Sequence, residues 1–158
     1  IRTFADLRRL KRPEWVVVAP HPFFPGPVCL RERLREELDL FDAIELSHFY
    51  TKGINFNRPA VRLAREVGLP LLGTSDSHLL RQLGTTYSLI EGEPTVPSVL
   101  AAIRKGDVRV VSRPLMLAQW VGIGTRLFVG SLLERAKKLS PSRRPSSPRK
   151  RTEIAFPG

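Results

Sequence analysis

The sequence predicts an α/β fold in which short parallel strands alternate with amphipathic helices. Apolar runs typical of buried strands recur along the first 115 residues. Between them, apolar residues repeat every three or four positions, as they do in a helix with one buried face. This alternation indicates a parallel sheet covered by helices. The chain has 158 residues, 42% of them hydrophobic, which is enough for one globular domain with a core.

Five strands are predicted, at residues 15–19, 42–46, 69–73, 85–90 and 107–111. The first of them is Trp-Val-Val-Val-Ala, an apolar run typical of a buried strand. No internal repeat is visible along the chain. The strands therefore belong to one continuous β/α pattern rather than to repeated units.

Three helices are predicted between these strands. The clearest begins at Asn57, which can cap it, has Pro59 in its first turn and ends at Gly68. Its apolar residues have the spacing of one buried face: Ala60, Leu63, Ala64 and Val67. Another helix begins at Thr95 and ends at Gly106. The remaining helix follows the first strand and carries four apolar residues on one side: Leu30, Leu34, Leu38 and Phe41.

The composition changes after residue 114 and divides the chain into three parts. Residues 1–114 form the β/α part, residues 115–139 an apolar and basic helical segment, and residues 140–158 a basic tail. The tail is rich in Pro, Ser and Arg and poor in apolar residues, so we expect it to be disordered. Of the net charge of +11, residues 116–158 carry +7. The β/α part is therefore only mildly basic.

Two features of the composition concern the cellular compartment. The single cysteine, Cys29, excludes an internal disulfide framework and agrees with a reducing cytoplasm. The start of the chain is charged and no apolar signal segment follows it. We therefore expect a cytoplasmic protein. Because the chain begins at Ile1 and enters strand and helix signals at once, we also expect that it lacks N-terminal strands.

All three histidines follow predicted strands. His21, His48 and His78 lie just beyond the ends of the first, second and third strands. In parallel β/α folds, ligand-binding loops gather at this carboxyl edge of the sheet. The placement of the histidines is the main indication of a functional site that does not depend on any family.

Two of these segments have the chemistry of metal ligands. In an extended segment, Asp76 and His78 lie two residues apart and point the same way, and an oxygen with an imidazole nitrogen suits Zn, Mn or Fe. The alternative is that Asp76 caps a turn and His78 bonds a backbone carbonyl. His21 lies between two prolines, which fix its backbone as a metal ligand requires, although a turn histidine without a role has the same sequence.

The order of these motifs resembles the PHP (polymerase and histidinol phosphatase) family of metal-dependent phosphoesterases. The resemblance covers about residues 14–113 and rests on a strand before His21-Pro22, the Ile44-Glu45-Leu46 strand, a helix, and Gly73-Thr-Ser-Asp-Ser-His78. It implies a distorted (β/α)7 barrel similar to a TIM barrel. It also implies that His21, Asp76 and His78 bind a cluster of two or three divalent metal ions (Zn, Mn or Fe).

The chain also departs from the family pattern. The opening His-x-His motif and the middle Glu and His motifs of the family have no counterpart here. The resemblance therefore implies only the C-terminal part of a phosphoesterase, in which metal-activated water hydrolyses a phosphate ester of a small molecule or nucleotide. We expect this part by itself to bind metal poorly and to turn over little substrate.

Other residues near the same edge are weaker candidates. His48 could contact substrate phosphate or donate a proton in catalysis. Arg58, Lys52 and Arg81 could attract an anionic substrate, although solvation is the usual role of such residues. Glu45 is interpreted as structural.

Two alternatives to an enzyme remain open at this point. The first is a degenerate, non-catalytic PHP-like module that binds nucleic acid or a protein partner through its basic tail. The second is a membrane-surface protein that uses residues 115–133 as an interfacial helix. A spanning helix is disfavoured because Arg126 would lie in the hydrocarbon region, at a cost of about 2.5–3.5 kcal/mol.

Overall fold

The computed structural model describes residues 2–26, 28–77 and 80–139. It forms two compact units, Ile1–Val121 and Gly122–Gly158. The first unit contains every strand of the described chain and all the helices except the larger part of the last one. The described residues of the candidate site therefore all belong to the first unit.

A three-stranded parallel sheet forms the centre of this unit. Its strands are β1 (Val18–Ala19), β2 (Ala43–Ser47) and β3 (Leu71–Thr74), in the order β1-β2-β3. Ala19 lies beside Ile44, and Ile44 lies beside Leu71. The predicted parallel α/β arrangement is confirmed for these strands, and β2 occupies the middle of the sheet.

A second sheet has two antiparallel strands, β4 (Thr86–Ile90) and β5 (Val108–Ser112). The prediction of a purely parallel architecture is therefore wrong for these strands. Ile90 at the end of β4 pairs with Val108 at the start of β5, so the connecting helix must return to the end from which the chain left. Gly106 makes this reversal possible with a φ of +81°, which glycine adopts at little cost. Within the described ranges, the strands form these two sheets and no closed barrel.

The described chain contains five α-helices and two short 3-10 turns, and the ends of two helices can be compared with their sequence signals. The α-helices are α1 (Phe4–Leu10), α2 (Arg33–Glu36), α3 (Arg58–Val67), α4 (Val96–Lys105) and α5 (Leu117–Leu139), and two 3-10 turns cover Leu38–Leu40 and Leu80–Gln82. The ends of α3 and α4 agree with their sequence signals, since Gly68 and Gly106 end them in the left-handed conformation. Thr95 caps α4 by accepting a hydrogen bond from the Ser98 amide. The helix predicted after β1 is shorter than expected and is divided into α2 and a 3-10 turn.

Helix α1 was not predicted from the sequence. Thr3 and Asp6 form a capping box at its start, which is a signal that sequence analysis can detect. Arg8 ties the helix to the chain before β2 through Glu37 and Asp39. The hydrogen bond from Arg8 lowers the pKa of the Asp39 carboxyl. The pair therefore stabilises the folded state above the ordinary carboxyl pKa, and this contribution is lost as the pH falls through the lowered value.

Both faces of the parallel sheet are buried. On one face, Ala19 and Ile44 pack against the apolar side of α3. The fully or nearly buried residues of this cluster are Ala19, Leu34, Leu40, Phe41, Ile44, Ala60, Leu63 and Ala64. On the other face, Ala43 and Leu72 pack against Ile103 of α4. Burial on both sides explains why apolar residues occupy successive positions, such as Ala43 and Ile44 in β2 and Leu71 and Leu72 in β3.

The outer edge of β3 is covered by the side chain of Ser88 from β4. The Ser88 hydroxyl accepts a hydrogen bond from the Gly73 amide (2.9 Å) and donates one to the Gly73 carbonyl (3.1 Å). A Cβ atom on Gly73 would lie 2.6 Å from Val110 Cγ1 and 3.0 Å from the Tyr87 carbonyl oxygen. Gly73 is therefore required for the close approach of β3 to the second sheet.

No helix of the described residues is both long and apolar enough to cross a lipid bilayer. The basic tail predicted at residues 140–158 lies outside the described part of the chain.

We predict that Gly73→Ala destabilises the protein by about 1–3 kcal/mol, because the added methyl group must displace Val110 or the backbone of β4. Gly53→Ala is the matched control, since no atom lies within 4 Å of the Cβ position there. Urea unfolding of the two variants measures the difference. Equal stabilities would contradict the close approach of β3 and the second sheet.

Candidate functional site

Glu45 is the buried polar centre of the parallel sheet. It lies on β2, and 5% of its surface is exposed. One carboxylate oxygen accepts a hydrogen bond from the backbone amide of His21, just after β1. The other accepts a hydrogen bond from the hydroxyl of Thr74, the last residue of β3. A single side chain on the middle strand therefore joins the carboxyl ends of all three strands.

His21 lies at the carboxyl edge, as the sequence predicts. Its φ of +25° is unfavourable for a residue with a Cβ atom, and the bond from its amide to Glu45 helps to hold it there. The ring Nδ1 atom lies 3.5 Å from Cys29 Sγ, and the ring centroid lies 5.7 Å from that of Phe24. These contacts orient the imidazole and leave its Nε2 atom as the nitrogen for a further partner.

Asp76 follows β3 at the same edge of the sheet. Its side chain is exposed, and its φ of +40° again lies in the left-handed region. Strands β1 and β3 flank β2, so the segments of His21 and Asp76 leave the sheet roughly 10 Å apart, two strand spacings. His78, the third predicted ligand, lies outside the described residues.

The donor set at this edge fits a divalent metal only in part. His21 supplies an imidazole nitrogen and Asp76 a carboxylate, both of which suit Zn, Mn or Fe. Within residues 2–26, 28–77 and 80–139, no three His, Cys, Asp or Glu side chains form a group that could hold a metal ion. The metal site therefore stays a prediction that depends on His78 and on ligands from elsewhere.

His48 occupies a different environment from His21. It is buried, with 2% of its surface exposed, and its Nε2 atom lies 3.0 Å from Nε2 of the fully buried Gln82. Which of the two groups donates depends on the tautomer of the ring and on the orientation of the amide. This pairing links the segment after β2 to the 3-10 turn before β4. A direct contact of His48 with substrate stays a prediction.

Asn57 lies at the N-cap position of α3, but its side chain does not cap the helix. Its Oδ1 atom accepts a hydrogen bond from the Ser47 amide (3.0 Å), and its Nδ2 atom donates to the Ser47 carbonyl (2.8 Å). The expected capping role is therefore wrong in its detail. The amide side chain instead replaces a neighbouring strand at the end of β2 and fixes the start of α3 against the carboxyl edge.

Two of the basic residues predicted to attract substrate lie at the start of α3 or just before it. Arg58 is the first residue of α3 and is exposed, and Lys52 is exposed in the loop before it. Neither forms an ion pair with any described residue. The backbone of Arg81 belongs to the 3-10 turn Leu80–Gln82, but its side chain lies outside the described part of the structure.

An aromatic cluster beside His21 was not predicted. The ring of Phe24 lies 5.4 Å from that of Phe56 and 6.2 Å from that of Phe49, and Phe49 stacks on Trp120 at 5.1 Å. Phe24 comes from the loop after β1, Phe49 and Phe56 come from the loop between β2 and α3, and Trp120 comes from α5. The available signal was the repeated placement of Phe just after strands, but nothing in the sequence shows that the rings meet.

Comparison with known proteins gives one family match. Residues 55–108 match a family model described as PHP-associated. The matched segment begins before α3 and runs to the first residue of β5, so it includes Asp76 and the predicted ligand His78. No curated protein matches the chain. The match confirms the PHP resemblance for this C-terminal region, while His21 and Glu45 lie outside it.

We predict that Glu45→Ala destabilises the protein by about 1–3 kcal/mol, because it leaves the His21 amide and the Thr74 hydroxyl without their acceptor. Glu45→Gln should cost less than about 1 kcal/mol, since its amide group can accept from His21 while it donates to the Thr74 oxygen. Thermal or urea unfolding measures both. A Gln variant as unstable as the Ala variant would contradict the hydrogen-bonding role and indicate that the charge is needed.

Proposed function

We propose, on the premise that residues 55–108 are a PHP-associated region, that this chain is the C-terminal part of a metal-dependent phosphoesterase. The observation that carries the proposal is the bridge made by Glu45. It holds the ends of β1 and β3 together, and it thereby brings the segments of His21 and Asp76 to one edge of the sheet. The substrate class is a phosphate ester of a small molecule, a nucleotide or a nucleic acid.

In this proposal the metal ligands are His21, Asp76 and His78. Bound divalent ions would supply a hydroxide near neutral pH and stabilise charge on the phosphoryl oxygens. The chain's own part is to hold the ligands. Asp76 balances positive charge with a carboxylate, and His21 offers Nε2 on a ring already oriented by Cys29 and Phe24.

The substrate is positioned by cations at the start of α3. Arg58 projects from the first residue of this helix, and Lys52 lies in the loop before it. A guanidinium offers paired donors that match two phosphate oxygens, whereas an ammonium group acts as a point charge. Arg58 is therefore the better candidate to orient a phosphoryl group.

Three ligands do not hold a cluster of two or three ions. The proposal therefore requires ligands from outside residues 1–158, and the gene sequence upstream of Ile1 is the place to find them. It extends to the fold as well, with β1, β2 and β3 as three strands of a distorted (β/α)7 barrel.

We predict that Asp76→Asn, in a chain that includes the upstream sequence, lowers phosphoesterase turnover by at least about 100-fold, more than a typical outer-shell change. Elemental analysis should show Zn, Mn or Fe in the unchanged protein and less metal in the variant. Hydrolysis of a chromogenic phosphate ester measures turnover.

Asp107→Asn is the matched control, because Asp107 is an exposed aspartate in the turn between α4 and β5. It should leave metal content and turnover unchanged. Full metal content and full turnover in Asp76→Asn would refute the ligand assignment. A longer chain that binds no metal would refute the proposed function as a whole.

A further inference from the structure

A groove of about 580 Å³ lies between α3 and the segment that joins β2 to it. Three arginines of the helix line it: Arg58, Arg62 and Arg65. Their spacing of four and three residues places them on one face, over an axial length of about 10 Å. Because Ala60, Leu63 and Ala64 are buried on the other face, the arginine side cannot turn inward.

The groove is positively charged, and its arginines are unpaired with respect to the described part of the chain. Within the described residues, none of the three arginines forms an ion pair or a side-chain hydrogen bond. Among the described residues, the one carboxylate that lines the groove is Glu66, and it is paired with Arg35 at 3.2 Å. The positive charges of Arg58, Arg62 and Arg65 therefore all attract an anion in the groove.

This arrangement is unfavourable for the helix alone. Like charges three and four residues apart repel one another. Arg58 also lies at the helix N-terminus, where the helix dipole disfavours a cation, and the first turn contains no acidic residue. Nothing in the packing of α3 explains three arginines on this face. An anion in the groove would relieve both the repulsion and the dipole effect.

We propose that this groove binds a run of linked phosphates, such as the backbone of a nucleic-acid strand or an inorganic polyphosphate. The guanidinium fork fits phosphate oxygens two at a time. The arginine row covers about three successive phosphates of a stacked strand, at about 3.4 Å each. Asn55 also lines the groove, and because its Oδ1 accepts from the Asn57 amide, its Nδ2 is the donor left for a ligand.

The position of the groove connects it with the candidate site. Asn57 fixes the start of α3 to Ser47 at the carboxyl end of β2, so the groove begins at the edge of the sheet where His21 and Asp76 lie. A chain of phosphates in the groove would lead to that edge. The choice of phosphate over carboxylate rests on the proposed function, whereas the anion groove itself does not.

The test is the binding of a fluorescein-labelled oligothymidylate of twelve nucleotides to the full chain. Binding is measured by fluorescence anisotropy in the presence of EDTA. Without metal, the result does not depend on the phosphoesterase proposal. The groove variant is Arg58→Gln, Arg62→Gln and Arg65→Gln combined. The control variant is Lys105→Gln, Arg109→Gln and Arg113→Gln combined, which removes the same charge from exposed positions elsewhere.

We expect the affinity of the groove variant for the oligothymidylate to fall at least tenfold. The affinity of the control variant should fall by less than threefold. The slope of log affinity against log salt should fall by about 2 in the groove variant, since three phosphate contacts contribute about 0.7 each on a single strand. If the triple variant does not fold, as judged by circular dichroism, the exposed single change Arg62→Gln replaces it, with an expected loss of about threefold against none for Arg109→Gln.

Equal losses in the groove and control variants would overturn the proposal, since binding would then reflect net charge alone. Stronger competition by an oligoglutamate peptide than by unlabelled oligothymidylate would overturn the choice of phosphate. Competition by inorganic tripolyphosphate at comparable phosphate concentration would support short polyphosphates as the ligand. Failure of tripolyphosphate to compete, with oligothymidylate bound at the groove, would support a nucleic-acid strand.

Discussion

The hydrogen bonds of the Glu45 carboxylate are the constraint on which the rest of the site depends. A buried acceptor on the middle strand needs donors from both sides, and the chain supplies them as the His21 amide and the Thr74 hydroxyl. The ends of β1 and β3 are then fixed relative to β2, although β1 is only two residues long. The loops that carry the candidate ligands start from these fixed strand ends, so the packing of the sheet also positions the polar residues at its edge.

Much of the fold follows from local signals in the sequence. Helices α3 and α4 end at the glycines that the sequence marks, Gly68 and Gly106. Ala60, Leu63 and Ala64 are buried as predicted for one face of α3, whereas the prediction is wrong for Val67, which is 40% exposed at the last turn of the helix. The pairing of β4 with β5 could not be predicted in the same way. A strand, a helix and a strand usually indicate a parallel pair, and the reversal depends on how α4 docks, which is a tertiary effect.

The candidate site was predictable in its residue types but not in its connections. Strand ends place His21 and Asp76 at one edge, because parallel strands share their carboxyl end. The hydrogen bonds that connect the site could not be predicted, because no spacing rule in the sequence indicates them. They join Glu45 to its two donors, Asn57 to Ser47 and His48 to Gln82. The family match supports the segment around Asp76, whereas the part around His21 rests on the geometry of the sheet.

The contact between Gly73 of β3 and Ser88 of β4 restricts which residues can replace either of them. The Ser88 hydroxyl serves a donor and an acceptor of Gly73 at once, and alanine or valine could serve neither. Threonine would keep the hydroxyl but add a methyl group at a position that pairs with Val110 across the strands. Positions 73 and 88 are therefore expected to co-vary among related sequences, since a side chain gained at one requires space and new hydrogen-bond partners at the other.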